Sequence, residues 1–102
     1  MQDPKILLGK VLQRFKDQEN ATSTTGKLFG YIRETDNSVL ITREDGNDTS
    51  IPFSKLLKSI ELYHKYPSLY TEGPSRLGDY GITHIYSPIW ALLHLLNKEE
   101  YA

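Results

Sequence analysis

The segment Ile89-Trp-Ala-Leu-Leu-His-Leu-Leu96 constrains this chain more than any other. Wound as a helix, it places apolar side chains on more than one face. Such a helix must either sit at the centre of a core or also touch another chain. Ser87 is a good N-cap and Pro88 a good first helical residue, so the predicted helix runs from Ile89 to Asn97. Lys98 suits the negative end of its dipole, and Glu99–Ala102 is expected to fray. Ile89, Trp90, Leu92 and Leu95 are the candidate interface residues of a helix with more apolar surface than a small core needs.

The rest of the chain must supply what this helix packs against. At 102 residues one domain is expected, with one modest core. Leu8, Val11, Leu12 and Phe15 recur at helical spacing and predict an amphipathic helix over 5–18, with Asp3 as N-cap and Pro4 at its first position. Residues 19–26 are small and polar and read as a loop. Lys27–Glu34, Ser38–Arg43 and Thr49–Pro52 read as strands. Their joints are short, and the second contains Asp45-Gly46, which tolerates positive φ. Short joints favour antiparallel neighbours, hence a three-stranded meander. Phe53, Leu56, Leu57, Ile60 and Tyr63 predict a second helix over 53–66, stopped by Pro67.

Residues 67–86 hold three Gly, two Pro and three Tyr and read as an irregular loop, with a short strand as an option at Ile82–Tyr86. The expected fold is therefore α+β, in the order α-β-β-β-α-loop-α, with the helices on one face of the meander. The expected core is Leu8, Val11, Leu12, Phe15, Phe29, Tyr31, Leu40, Leu56, Ile60, Trp90, Leu93 and Leu96.

Composition excludes several chemistries. The chain has no Cys, which removes disulfides, thiolate metal sites and thiol nucleophiles. His64, His84 and His94 lie at no helical metal-binding spacing, and no metal or cofactor is implied. Asp45, Asn47 and Asp48 resemble a fragment of a calcium loop whose closing Glu is missing. No basic and apolar leader opens the chain, and no apolar run approaches the roughly 20 residues of a membrane span. A cytoplasmic protein without membrane contact is expected.

The net charge of −1 is unevenly spread. Residues 1–33 carry six Lys/Arg against three Asp/Glu. Residues 34–50 carry one against five, crowded at the hairpin tips. Residues 51–102 carry five of each.

The candidate binding residues are Tyr70, Arg76, Tyr80, His84 and Tyr86. Gly73-Pro-Ser-Arg-Leu-Gly78 offers flexible backbone amides beside an Arg, without the frame of a phosphate-binding loop. Tyr and Arg are favoured interface residues. A Ser–His–Asp set drawn from Ser75 or Ser87, His84 and Asp79 lacks a nucleophile elbow. The sequence therefore points to a non-catalytic interaction module acting through a homodimer or a protein partner, more than to an enzyme. One alternative is a nucleic-acid-binding accessory domain using aromatic and basic side chains, including Lys27, Arg33 and Arg43 on the meander. Another is a small enzyme with its site around His84.

Overall fold

Asp3 and Pro4 decide where the first helix begins. In the computed structural model, which describes residues 2–82 and 84–102, α1 runs Pro4–Gln18. The Asp3 carboxylate accepts from the Lys5 N–H at 2.8 Å, satisfying one of the donors a helix leaves free at its start. Leu7, Leu8, Val11, Leu12 and Phe15 form its buried stripe. Glu19 ends the helix in a left-handed conformation, its N–H bonded to the Phe15 carbonyl.

The fold is α+β, and the meander stands in the expected order: β2 (Leu28–Glu34), β3 (Ser38–Arg43) and β4 (Asp48–Pro52). A fourth strand precedes them. β1 (Asn20–Thr22) lies in the stretch read as a polar loop and pairs antiparallel with β2, Ala21 opposite Phe29. Its residues have little β-propensity of their own. The strand exists because the free edge of β2 offers partners and because Ala21 fits under the helices, almost wholly buried.

Side-chain alternation sorts the sheet into two faces. Ala21, Phe29, Val39, Ile41 and Ile51 turn inward and are buried, with α1, α2 (Phe53–Lys65) and α5 (Tyr86–Leu93) packed beside them. Tyr31 joins this face by meeting the Phe15 ring edge-on at 5.4 Å. Leu40, expected in the core, is instead half-buried on the opposite face, across from Arg33 and Ser50. Three consecutive apolar residues in Val39-Leu40-Ile41 carry no period-2 signal, so the sequence pattern leaves the inward set open. The outer face is dominated by small groups. Gly30 lies opposite Thr42, so close that a Cβ at position 30 would stand 2.9 Å from the Thr42 methyl.

The stretch 67–86 is not structureless. It folds into two single helical turns, α3 (Leu69–Glu72) and α4 (Ser75–Gly78), separated by Gly73 at φ 92°. Leu69, Leu77 and Ile82 anchor it, each 1% exposed. No strand forms over the described residues of Ile82–Tyr86, because Ile82 is an anchor and Tyr86 already opens α5. Short helical turns held by single leucines leave no periodic pattern to read.

α5 also departs from its expected bounds. It starts one residue before Ser87, with Ile85 at the N-cap position, and Pro88 falls within the first turn where its missing N–H is tolerated. It ends at Leu93, not Asn97. Beyond it the chain tightens, Leu95 N–H bonding to Leu92 and Leu96 N–H to Leu93. Ile89, Leu92 and Leu93 have no solvent exposure, and Leu96 has 1%. The tail does not fray: Lys98–Tyr101 forms a 3₁₀ turn with Tyr101 buried and its hydroxyl donating to the Leu93 carbonyl. Among the described residues no helix is long and apolar enough to cross a membrane.

Two outcomes follow. Tyr101→Ala is expected to destabilise the chain by about 3 kcal/mol in denaturant unfolding, where a frayed tail would show no change. Gly30→Ala is expected to cost about 1 kcal/mol, and Thr42→Ser, which removes the opposing methyl, should recover most of it in a double-mutant cycle.

Candidate functional site

The end of α5 lies beside a concave region lined by tyrosines. Around and just past the end of α5 at Leu93, side chains from elsewhere bond to backbone carbonyls. Arg14 on α1 donates to the Leu95 carbonyl at 2.7 Å, and the Tyr70 hydroxyl on α3 donates to Leu96 at 2.7 Å. Tyr101 takes Leu93. His94 sits with one ring nitrogen 2.8 Å from the Trp90 carbonyl and the other 2.7 Å from the Tyr70 carbonyl.

The His94 ring is sandwiched. Trp90 stacks on it at 3.6 Å between centroids and Tyr70 at 3.9 Å, while Tyr63 of α2 meets it edge-on at 5.8 Å. A neutral imidazole carries one N–H and can donate to only one of the two carbonyls, whereas an imidazolium could donate to both. Burial disfavours that charge and outweighs the two carbonyls, so the His94 pKa lies below its ordinary value of 6.5.

Tyr63, Tyr70 and Tyr101 pack edge to face and tilted, with centroids 5.3–6.1 Å apart. Together with Pro67, Lys98, Glu99 and Ala102 they line a cleft of about 270 Å³, apolar over most of its wall. Burial raises the pKa of all three phenols, so they remain protonated. Two polar atoms at this end of the fold have no hydrogen-bond partner among the described residues: the buried Tyr63 hydroxyl and the buried Trp90 indole N–H.

A second cluster lies on the surface. Tyr66 and Tyr80 are tilted together at 5.0 Å. The Lys65 ammonium stands 5.4 Å from the Tyr66 ring, and the Arg76 guanidinium 5.8 Å from the Tyr80 ring. Arg76 also bonds to Glu72 at 3.0 Å and pairs with Asp79. The bond to Glu72, then that to Asp79, raises its pKa. Other exposed large apolar residues are Ile6 on α1 and Leu28 and Ile32 on β2. Tyr66 differs from them in standing against a second aromatic ring.

The five candidate binding residues thus separate. Arg76 and Tyr80 come together. Tyr70 turns to the opposite task of holding His94 and walling the cleft. Tyr86 begins α5, half-buried against the core. His84 is exposed in a left-handed bend (φ 68°) and takes no part in the Arg76–Tyr80 contacts. Of the four candidate interface residues, Ile89 and Leu92 are fully buried within the chain and Trp90 and Leu95 half-buried. Tyr63, Tyr66, His94 and Tyr101 stand outside the candidate binding set, although Tyr63, Lys65 and Tyr66 belong to a stretch of interleaved aromatic and basic residues that runs from Lys55 to Tyr86.

The hairpin tip at Asp45 is an ordinary capped turn. Its carboxylate accepts from the Asn47 N–H at 3.0 Å, and this bond lowers its pKa. No group of three His, Asp or Glu among the described residues is placed to hold a metal ion. On the sheet, Arg43 turns inward, its guanidinium 5.8 Å from the Phe29 ring and bonded to Thr49. Comparison with family models, curated proteins and solved structures finds no match for this chain.

Because the folded His94 has the lower pKa, the unfolded chain binds its proton more readily, and acid favours unfolding. Unfolding free energy is expected to be fully retained above about pH 6.5 and to decline as pH falls toward the folded value. Denaturant unfolding at several pH values, with His94 Cε1–H followed by NMR, checks both the slope and its owner. His94→Gln should flatten the slope.

Proposed function

We propose that this chain is a non-catalytic interaction module that associates with a second copy of itself through the Lys65–Tyr66–Tyr80–Arg76 surface. The observation that carries this reading is the tilted pair of Tyr66, exposed, and Tyr80, half-buried, with a cation beside each ring. Tyr and Arg are the residue types that concentrate binding energy at interfaces, since they cover area at little entropic cost. The pair also explains why Arg76 and Tyr80 fall together while the greasy helix, read from sequence as the contact surface, is spent on the core.

A second copy is favoured by charge. Arg76 is paired with Glu72 and Asp79, and Lys65 stands over the Tyr66 ring, so the surface carries both signs. Two such surfaces facing each other about a twofold axis can pair unlike charges reciprocally. A net charge of −1 adds little long-range repulsion. Nucleic acid is less well supported as the occupant. Arg76 is engaged by two carboxylates, and Arg43, one of the cations expected on the meander, is turned inward.

Sedimentation velocity over a concentration series tests this. Reversible association is expected by about 100 µM. Tyr66→Ser and Tyr80→Ser should each weaken it about tenfold or more, and Tyr66→Ser, at the exposed ring, should leave the unfolding midpoint nearly unchanged. A strict monomer, or a dimer indifferent to both substitutions, would sink the reading.

A further inference from the structure

We propose that the outer edge of β4 docks an extended, basic segment of a partner protein, which adds to the sheet as a fifth strand. This stands independently of self-association, which uses the Tyr66–Tyr80 surface.

The ladder carries the first part of the argument. β4 ends the sheet and pairs only with β3. The Arg43 N–H bonds to the Asn47 carbonyl at 2.9 Å, and the Phe53 N–H to the Asn37 carbonyl at 2.8 Å. These two bonds set the phase of the pairing, because antiparallel neighbours exchange bonds at every second residue. Thr49 and Ile51 therefore face β3, while Asp48 and Ser50 turn their N–H and C=O groups away from it. Both residues are exposed, and no other backbone group among the described residues bonds to them there. Pro52, without an N–H, ends the edge. An incoming antiparallel strand can exchange two bonds with Ser50 and two with Asp48, the pattern of strand addition.

Charge names the occupant. Residues 34–50 carry Glu34, Asp36, Glu44, Asp45 and Asp48 against Arg43 alone. Arg43 is committed to Thr49 and the Phe29 ring. Asp45 and Asp48 lie at one end of the edge. Asp36 lies at the other, sharing a concavity of about 360 Å³ with Pro52 and Phe53. Among the described residues, the carboxylates of Asp36, Asp45 and Asp48 form no ion pair. A strand with a cation at each end complements this edge. Paired residues share a face, so a Lys or Arg belongs opposite Asp48. A β-branched residue belongs opposite Ser50, next to the half-buried Leu40. A second Lys or Arg belongs opposite Pro52, its stem along Pro52 and Phe53 and its head toward Asp36. The same acids turn away a second copy. Two β4 strands paired antiparallel about Ser50 would bring the Asp48 end of one onto the Asp36 end of the other, like charge on like.

The probe is the peptide acetyl-Thr-Arg-Thr-Val-Thr-Lys-Thr-amide, titrated into the ¹⁵N-labelled protein. Saturable amide shifts are expected at Asp48, Thr49, Ser50 and Ile51, weakening as salt is added. N-methylation of the peptide's Val removes the N–H that meets the Ser50 carbonyl and should weaken binding about tenfold. Glu in place of its Arg and Lys should abolish binding. Ser50→Pro, which removes an N–H that β3 does not use, should weaken it about tenfold. Asp36→Asn with Asp48→Asn should weaken it severalfold and flatten the salt dependence. Should Ser50→Pro fail to fold, the N-methylated peptide makes the same test on the parent chain. Shifts that are absent or lie away from β4 would overturn the proposal. So would an N-methylated peptide that binds as tightly as its parent, or self-association that Ser50→Pro abolishes, which would give the edge to a second copy.

Discussion

The second half of this molecule depends on how the carbonyl end of α5 is satisfied. Where α5 gives way to the turn through Leu96, the backbone carbonyls of Leu93, Leu95 and Leu96 are each met by a side chain from another segment. The chain answers with donors from three separate segments: Arg14 from α1, Tyr70 from α3 and Tyr101 from the final turn. The His94 ring lies between the Trp90 and Tyr70 carbonyls beside them. Hydrogen bonding that closes one helix therefore also fixes the first helix, the 67–82 stretch and the tail relative to each other. These side chains hold the same short stretch of backbone from three directions, so they act as a set.

That arrangement accounts for where concavity arises. Aromatic side chains long enough to reach buried carbonyls cannot also fill the space beside them, and the rings of Tyr63, Tyr70 and Tyr101 leave a gap at the margin of the core. It also accounts for where the surface aromatics sit. Pro67 ends α2 and turns the chain, so the phenol before it, Tyr66, is directed outward to Tyr80 while Tyr63, one helical turn earlier, is directed inward.

Much of the architecture was legible because it is written in local chemistry. The Asp3-Pro4 start of α1, the apolar stripe to Phe15, the Asp45-Gly46 turn and the Pro67 stop each have a single-residue cause, and each operates as read. What was not legible depends on partners far along the chain. β1 forms because β2 offers an edge. Val39 and Ile41 turn inward, and Leu40 does not, because neighbouring strands set the register. α3 and α4 are held by Leu69 and Leu77 inserting into a core built by other segments. Tyr101 looked like a residue of a loose tail because nothing within four residues of it reveals that the Leu93 carbonyl needs a donor. The same limit applied to the sites: Arg76 on α4 and Tyr80 just beyond it are four apart in sequence and meet locally, whereas Tyr63, Tyr70 and Tyr101 meet only in the fold.

Trp90 is the single tryptophan of the chain, and its indole lies face to face on the His94 imidazole. A protonated imidazole accepts an excited electron far more readily than a neutral one, so the brightness of the indole is tied to the proton on the neighbouring ring. The molecule thus carries its own optical gauge of the half-buried stack at the end of α5, in a place where no dye would need to be attached. Because Tyr70 closes the other side of the same stack, whatever displaces that phenol also changes the light the indole emits.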